Sequence, residues 1–121
     1  MAEEQKTISA TDESFINRIT VIVDDNLQNE ALSSVLLADS CCLCQRHFSR
    51  RVKQITGRDV THFIRSRKIK RACELLKSTK LQVSEIYVKC GFESANYFSR
   101  VFREEMGMTP TQFRNQENNN N

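Results

Sequence analysis

Apolar residues recur along most of this chain with the spacing of one helical face. Phe15, Ile16, Ile19, Ile22 and Val23 predict an amphipathic helix over residues 12–28, with Thr11 as its N-cap and Asp12 and Glu13 in its first turn. Ser33 is a candidate cap for a short second helix through Val35, Leu36, Leu37 and Ala38, and Cys41 to Cys44 make a turn. A third helix follows from Gln45 to Ile55. Phe48, Val52 and Ile55 form its buried stripe, and Arg46, Ser49, Arg50 and Lys53 its exposed one, with Gly57 as a helix stop. Val60 to Lys77 then reads as one long helix. Its apolar side holds Val60, Phe63, Ile64, Ala72, Leu75 and Leu76, while Arg65, Arg67, Lys68, Lys70 and Arg71 lie elsewhere on it.

The same sequence of elements returns downstream. A short helix starts at Val83, Gly91 supplies the positive φ of a tight helix-to-helix turn, and Phe98, Val101 and Phe102 face a core. Asn96, Arg100 and Arg103 recur at i, i+4 and i+7 on the other side, and Thr109-Pro110 suits the cap and first position of a closing helix. A repeat at a spacing of 49 residues pairs Leu32 with Leu81, Leu37 with Ile86, Cys42 with Gly91, Phe48 with Tyr97 and Val52 with Val101. The expected fold is all-α, about seven helices: two helix-turn-helix subdomains, 12–57 and 78–114, joined by a linker helix over 58–77. Residues 1–11 are read as a flexible linker. The tail 115–121 has no apolar residue and is read as disordered.

Charge adds a direction to this plan. The net charge is only +3, but residues 1–45 carry −6 and residues 46–80 carry +10. A one-sign cluster on part of a small domain is the footprint of phosphate binding. No apolar run approaches the roughly 20 residues that cross a bilayer, and the N-terminus lacks the form of a signal peptide. A cytoplasmic chain without membrane contact is expected. The odd cysteine count, five, argues for reduced thiols. Cys41-x-x-Cys44 leaves a redox or metal sensor as an alternative reading, and a helical protein-interaction domain is another. His47 and His62 are read as boundary or surface residues. No nucleophile neighbours a base at recognisable spacing, so no catalysis, cofactor or metal is expected.

Gly91-Phe92, Tyr97-Phe98, Phe102-Arg103, Gly107, Thr109-Pro110 and Phe113-Arg114 together resemble the C-terminal signature of AraC/XylS-type transcription regulators. The resemblance extends over 12–114 and includes the linker-helix pattern Arg65-x-x-Lys68-Ile69-x-x-Ala72-x-x-Leu75-Leu76. It implies a DNA-binding transcription regulator that takes a bipartite operator, with RNA polymerase as a further partner. In helix-turn-helix proteins the second helix enters the major groove, where arginine pairs with guanine and asparagine with adenine. Arg46, Ser49 and Arg50 of the first reading helix, and Asn96 and Arg100 of the second, are the expected base contacts. Arg51, Lys53 and Arg103 are expected on phosphates, which set register without reading sequence. Two positions depart from the family pattern: Cys42 replaces a glycine at the first turn, and Tyr87 replaces an alanine in a close helix contact. The family joins this module to a sensing or phosphoacceptor domain. A chain of 121 residues has no room for one, so either a stand-alone short regulator or, in preference, an output module belonging to a response regulator or hybrid two-component sensor is expected.

Overall fold

Residues 10–119 are described by the computed structural model. They form seven α-helices: α1 Ala10–Asp25, α2 Ser34–Ser40, α3 Gln45–Thr56, α4 Val60–Ser78, α5 Val83–Lys89, α6 Ala95–Met106 and α7 Pro110–Asn119. Polar residues at the helix starts satisfy orphan backbone donors. Ser33 Oγ accepts the Leu36 N–H at 3.4 Å, Asp59 Oδ1 that of His62 at 2.8 Å, and Ser94 Oγ that of Tyr97 at 3.1 Å. At α7 the capping is reciprocal: Gln112 N–H donates to Thr109 Oγ1 at 3.1 Å, and Thr109 N–H to Gln112 Oε1 at 3.0 Å. Gly57 and Gly107, at φ 82° and 77°, end α3 and α6 in the left-handed region.

Three boundaries differ from the sequence pattern. α1 is already helical at Ala10, so Thr11 lies inside it, and it stops at Asp25 rather than running to residue 28. Asn26 ends it: its Nδ2 donates back to the Ile22 carbonyl at 2.7 Å and its Oδ1 accepts from Asn29 Nδ2 at 3.2 Å, which builds a turn. α7 continues to Asn119, into the stretch expected to be disordered. The capping box nucleates this helix and buried Phe113 anchors it, so polar residues extend it without needing a core of their own. Residues 1–9 of the expected linker and 120–121 of the expected tail lie outside the described residues.

Two cores share α4. The first gathers Phe15, Ile19, Val23 and Leu27 with Leu37, Ala38, Phe48 and Val52, and α4 adds Val60 and Ile64. The second gathers Ile86, Cys90, Phe92, Phe98, Val101, Phe102 and Phe113, and α4 adds Ile69, Ala72, Leu75 and Leu76. A 19-residue helix is about 28 Å long, so α4 is a spacer whose two ends are each buried in a different unit. Further contacts tie the units together. Gln28 Nε2 donates to the Val88 carbonyl at 3.2 Å, Lys68 Nζ to the Gly91 carbonyl at 2.8 Å, and His62 Nε2 meets Glu105 Oε2 at 3.1 Å. At the Gly91 turn the backbones touch: a Cβ there would sit 1.7 Å from the Leu27 carbonyl oxygen.

The internal repeat is real but changes register. Cys42 and Gly91, 49 residues apart, both have positive φ, 58° and 86°. In the helices that follow, fully buried Phe48 and Val52 match fully buried Phe98 and Phe102, a spacing of 50 residues; Tyr97, paired with Phe48 by the sequence, is only half-buried. The second turn is therefore one residue longer than the first. Tyr87, the counterpart of fully buried Ala38, is half-buried at the edge of the second core, which accommodates its ring by leaving part of it in solvent.

Candidate nucleic-acid interface

The register of 50 residues organises the polar faces of α3 and α6. Arg46 matches Asn96, Arg50 matches Arg100 and Lys53 matches Arg103, and all six are exposed. Ser49 matches Ser99, and both are half-buried between these side chains and the core. These pairs follow from helix periodicity, because Phe48, Val52, Phe98, Val101 and Phe102 point the opposite faces inward. Arg46, Arg50 and Lys53 bond to no other side chain among the described residues, so their donors face solvent. The Arg100 guanidinium lies 5.2 Å from the Tyr97 ring centre, which orders it on the surface of α6.

Arg51 is placed differently from the rest of the predicted set. Its guanidinium stacks 4.0 Å over the Phe15 ring and reaches Asp12 Oδ1 at 3.4 Å. The physical reason is its position in the helix: its counterpart 50 residues on is Val101, a core residue, so the first unit uses an arginine stem and stack to seal the α1–α3 contact. Other cations of the basic stretch are likewise engaged within the fold. Arg67 makes a two-bond contact with Asp24 at 2.9 and 2.6 Å, and this pairing holds its guanidinium charge more firmly than usual. Arg58 is hydrogen-bonded to His62, and Arg71 to Glu74 at 3.3 Å. Burial pushes the Lys68 ammonium down, and its proton is directed at the Gly91 carbonyl.

Arg114 shows the same inward use more fully. Its guanidinium donates to the carbonyls of Leu76 at 3.1 Å, Thr79 at 3.1 Å and Leu81 at 2.7 Å, closing the end of α4 and the linker into α5. The sequence gives its place in the signature but not this partner set, because the acceptors are backbone atoms. Arg65, Lys68 and Tyr97 line a cleft between the units, a grouping that the helical pattern of the sequence does not bring together. Its sequence signal is the Arg65-x-x-Lys68 pair, on the side of α4 that turns away from the apolar stripe.

All five thiols are free, and no three His, Cys, Asp or Glu side chains are grouped to hold a metal ion among the described residues. Cys42 takes the left-handed conformation usual for glycine, φ 58°, and its side chain is exposed. Burial pushes the Cys90 thiol up to about 12, so it stays protonated as a small core hydrophobe. No helix among the described residues is long and apolar enough to cross a membrane.

A family profile described as a helix-turn-helix domain matches residues 37–116. The HTH-type transcriptional activator RhaR of Enterobacter sp. (strain 638) is 46% identical over 70 residues, 58% of this chain and 25% of that protein. Histidine kinase P4 of Formosa agariphila is 31% identical over 109 residues, 90% of this chain and 8% of the kinase. A solved transcriptional regulator from Chromobacterium violaceum, described as an AraC-type DNA-binding domain-containing protein, superposes with a TM-score of 0.82 at 26% identity. That match covers 90% of this chain and 96% of the other. The chain thus spans a quarter or less of the length of these two curated relatives.

Proposed function

The chain belongs to the AraC-type helix-turn-helix family, and from that premise we propose that it is a sequence-specific, double-stranded-DNA-binding transcription regulator. The observation that carries the reading is the paired exposure of Arg46 with Asn96, Arg50 with Arg100 and Lys53 with Arg103 on two helices that follow positive-φ turns. α3 and α6 enter successive major grooves of one duplex face, roughly 34 Å apart. The 19-residue spacer α4 and the widths of the reading helices are of the size this requires.

Arg46, Arg50 and Arg100 are suited to two-bond contacts with guanine, Asn96 to one with adenine, and Ser49 to either base. Lys53 and Arg103 take phosphates. Arg51, engaged with Phe15 and Asp12, holds α1 against α3 and leaves the phosphate set. The chain acts as the output module of a longer signalling protein. Its match to a small part of a much larger histidine kinase, together with its match to part of an activator, supports that arrangement.

Selection from random duplexes tests the reading. The expected product is a bipartite site whose halves are centred about one helical turn apart. Arg50→Ala and Arg100→Ala should each weaken binding by about 1–3 kcal/mol and relax specificity in one half only. Recovery of no preferred sequence, or loss of the same half in both variants, would refute the assignment of two reading helices.

A further inference from the structure

Between the two units lies a cleft of about 400 Å³ with walls from both. Ser33 and Ser34 at the start of α2 form one side, Arg65 and Lys68 of α4 the floor, and Glu93 and Tyr97 the side belonging to the second unit. Hydrogen-bond donors prevail in it. Ser33 Oγ accepts from Leu36 N–H and Ser34 Oγ from the Gln45 amide at 2.6 Å, which leaves both hydroxyl protons to be donated. Lys68 is fixed on the Gly91 carbonyl, and nearby Glu93 offsets its charge. Arg65 has no carboxylate within ion-pair distance among the described residues. It contacts His62 Nδ1 at 3.4 Å, and the neighbouring Tyr97 side chain holds its guanidinium charge more firmly than usual, while its Nε is covered and has no acceptor. Glu104 and Glu105 act on Arg65 through space, and Glu105 is engaged by His62. A covered donor without an acceptor is uncommon in folded proteins, and an anion beside the guanidinium relieves its cost.

We infer that this cleft is a phosphate site for the duplex itself: Arg65, with the Ser33 and Ser34 hydroxyls, takes one phosphodiester from the stretch between the two major-groove segments. The position fits, because the first helix of a helix-turn-helix unit crosses the DNA backbone and α2 supplies a wall here. Ser34 is bonded to Gln45 at the start of α3 and Tyr97 lies in the first turn of α6, so the cleft is bounded by residues next to the starts of both reading helices. The inference rests on the DNA-reading function proposed above and adds to it a cause of fixed spacing. One phosphate pinned against α4 sets the register of both reading helices at once.

The test uses the selected bipartite duplex and the Arg65→Met variant. Binding should weaken about tenfold and equally for all sequence variants, as for loss of one charge-assisted contact. The slope of log affinity against log salt should become shallower by about 0.9. A second measurement separates contact from altered folding: duplexes in which one phosphate at a time between the half-sites is a neutral methylphosphonate. Unmodified protein should lose about tenfold at one position, and Arg65→Met about twofold or less at that same position, because the two changes remove one interaction. Equal losses in both proteins at every position, or no sensitive position, would overturn the inference while leaving the base-reading function standing. If the unmodified protein shows no preference for a bipartite duplex, the proposed function falls and this inference with it.

Discussion

Replacing Gly91 by alanine isolates the contact that fixes one reading unit against the other. Gly91 has φ +86°, and an added Cβ would lie 1.7 Å from the Leu27 carbonyl oxygen and 2.7 Å from its carbon. Two costs therefore combine. A non-glycine residue in the left-handed region costs about 1–2 kcal/mol, offset by about 0.4–1 kcal/mol from the stiffer unfolded chain. The collision is with backbone, which cannot rotate away as a side-chain tip can, so overpacking adds about 1–3 kcal/mol. The net loss is about 2–4 kcal/mol, or about 8–16 °C in Tm for a domain of this size. Gly57→Ala and Gly107→Ala are internal controls: their φ values are +82° and +77°, but nothing lies within 4 Å of their added Cβ atoms. Each should lose only about 1 kcal/mol. Thermal and urea melts followed by circular dichroism measure all three. Duplex binding measured below the melting range should fall only for Gly91→Ala, because relief of the clash moves the turn ahead of α6. A Gly91→Ala loss within about 0.5 kcal/mol of the Gly57→Ala loss, near the limit at which such values separate, would refute the reasoning.

Cys42→Gly should stabilise the reduced protein by about 0.5–1 kcal/mol, since it removes the cost of a side chain at φ 58° from an exposed position; an unchanged or lowered Tm would contradict this. Arg51→Ala should lower stability by about 1–2 kcal/mol through loss of the Phe15 stack and the partly screened Asp12 pair, while leaving the salt slope of DNA binding unchanged. Lys53→Ala should do the reverse, with a melt within about 0.5 kcal/mol of the parent and a salt slope shallower by about 0.9; exchanged outcomes would show that the two assignments are inverted. Arg114→Ala should cost about 2–4 kcal/mol because three carbonyls lose one donor group, and Arg114→Lys should recover little, as an ammonium cannot reproduce the planar fork.

Helical periodicity made the core legible: Phe15, Ile19, Phe48, Val52, Phe98 and Phe102 were all placed inward by spacing, and all are buried. Helix ends were legible at Ser33, Gly57 and Thr109, where one residue type does the capping, but not at the start of α1, where Thr11 lies inside the helix. The end of α1 was not, because the turn depends on Asn26 bonding back to Ile22, a geometry that many asparagines do not adopt. The fate of single arginines was the least legible part. Arg50 and Arg51 are neighbours of one chemical type, and only the core-facing register, visible at a spacing of 50 rather than 49 residues, separates an exposed guanidinium from one laid over Phe15. The one-residue difference between the two turns hid that register, since a repeat fitted through the turns pairs Val52 with Val101 and leaves Arg51 without its inward counterpart.

The charge asymmetry of the chain follows from the same geometry. The acidic first third and the basic middle meet inside the fold, where Asp12 takes Arg51 and Asp24 takes Arg67. Part of the +10 of residues 46–80 is therefore cancelled by the −6 of residues 1–45 at the α1–α3 and α1–α4 contacts. Such pairs are about a quarter or more exposed and each contributes little stability, so their effect is orientation: they fix α1 across both α3 and α4. α1 in turn carries Leu27 to Gly91 and Gln28 to Val88, and so sets where the second turn stands. Neutralising Asp24 should accordingly disturb the spacing of the two reading helices more than the global melt, because the contact it loses acts on geometry and not on the cores. The cations left facing solvent on α3 and α6 are Arg46, Arg50, Lys53, Arg100 and Arg103, held at a separation that the acidic first helix helps to determine.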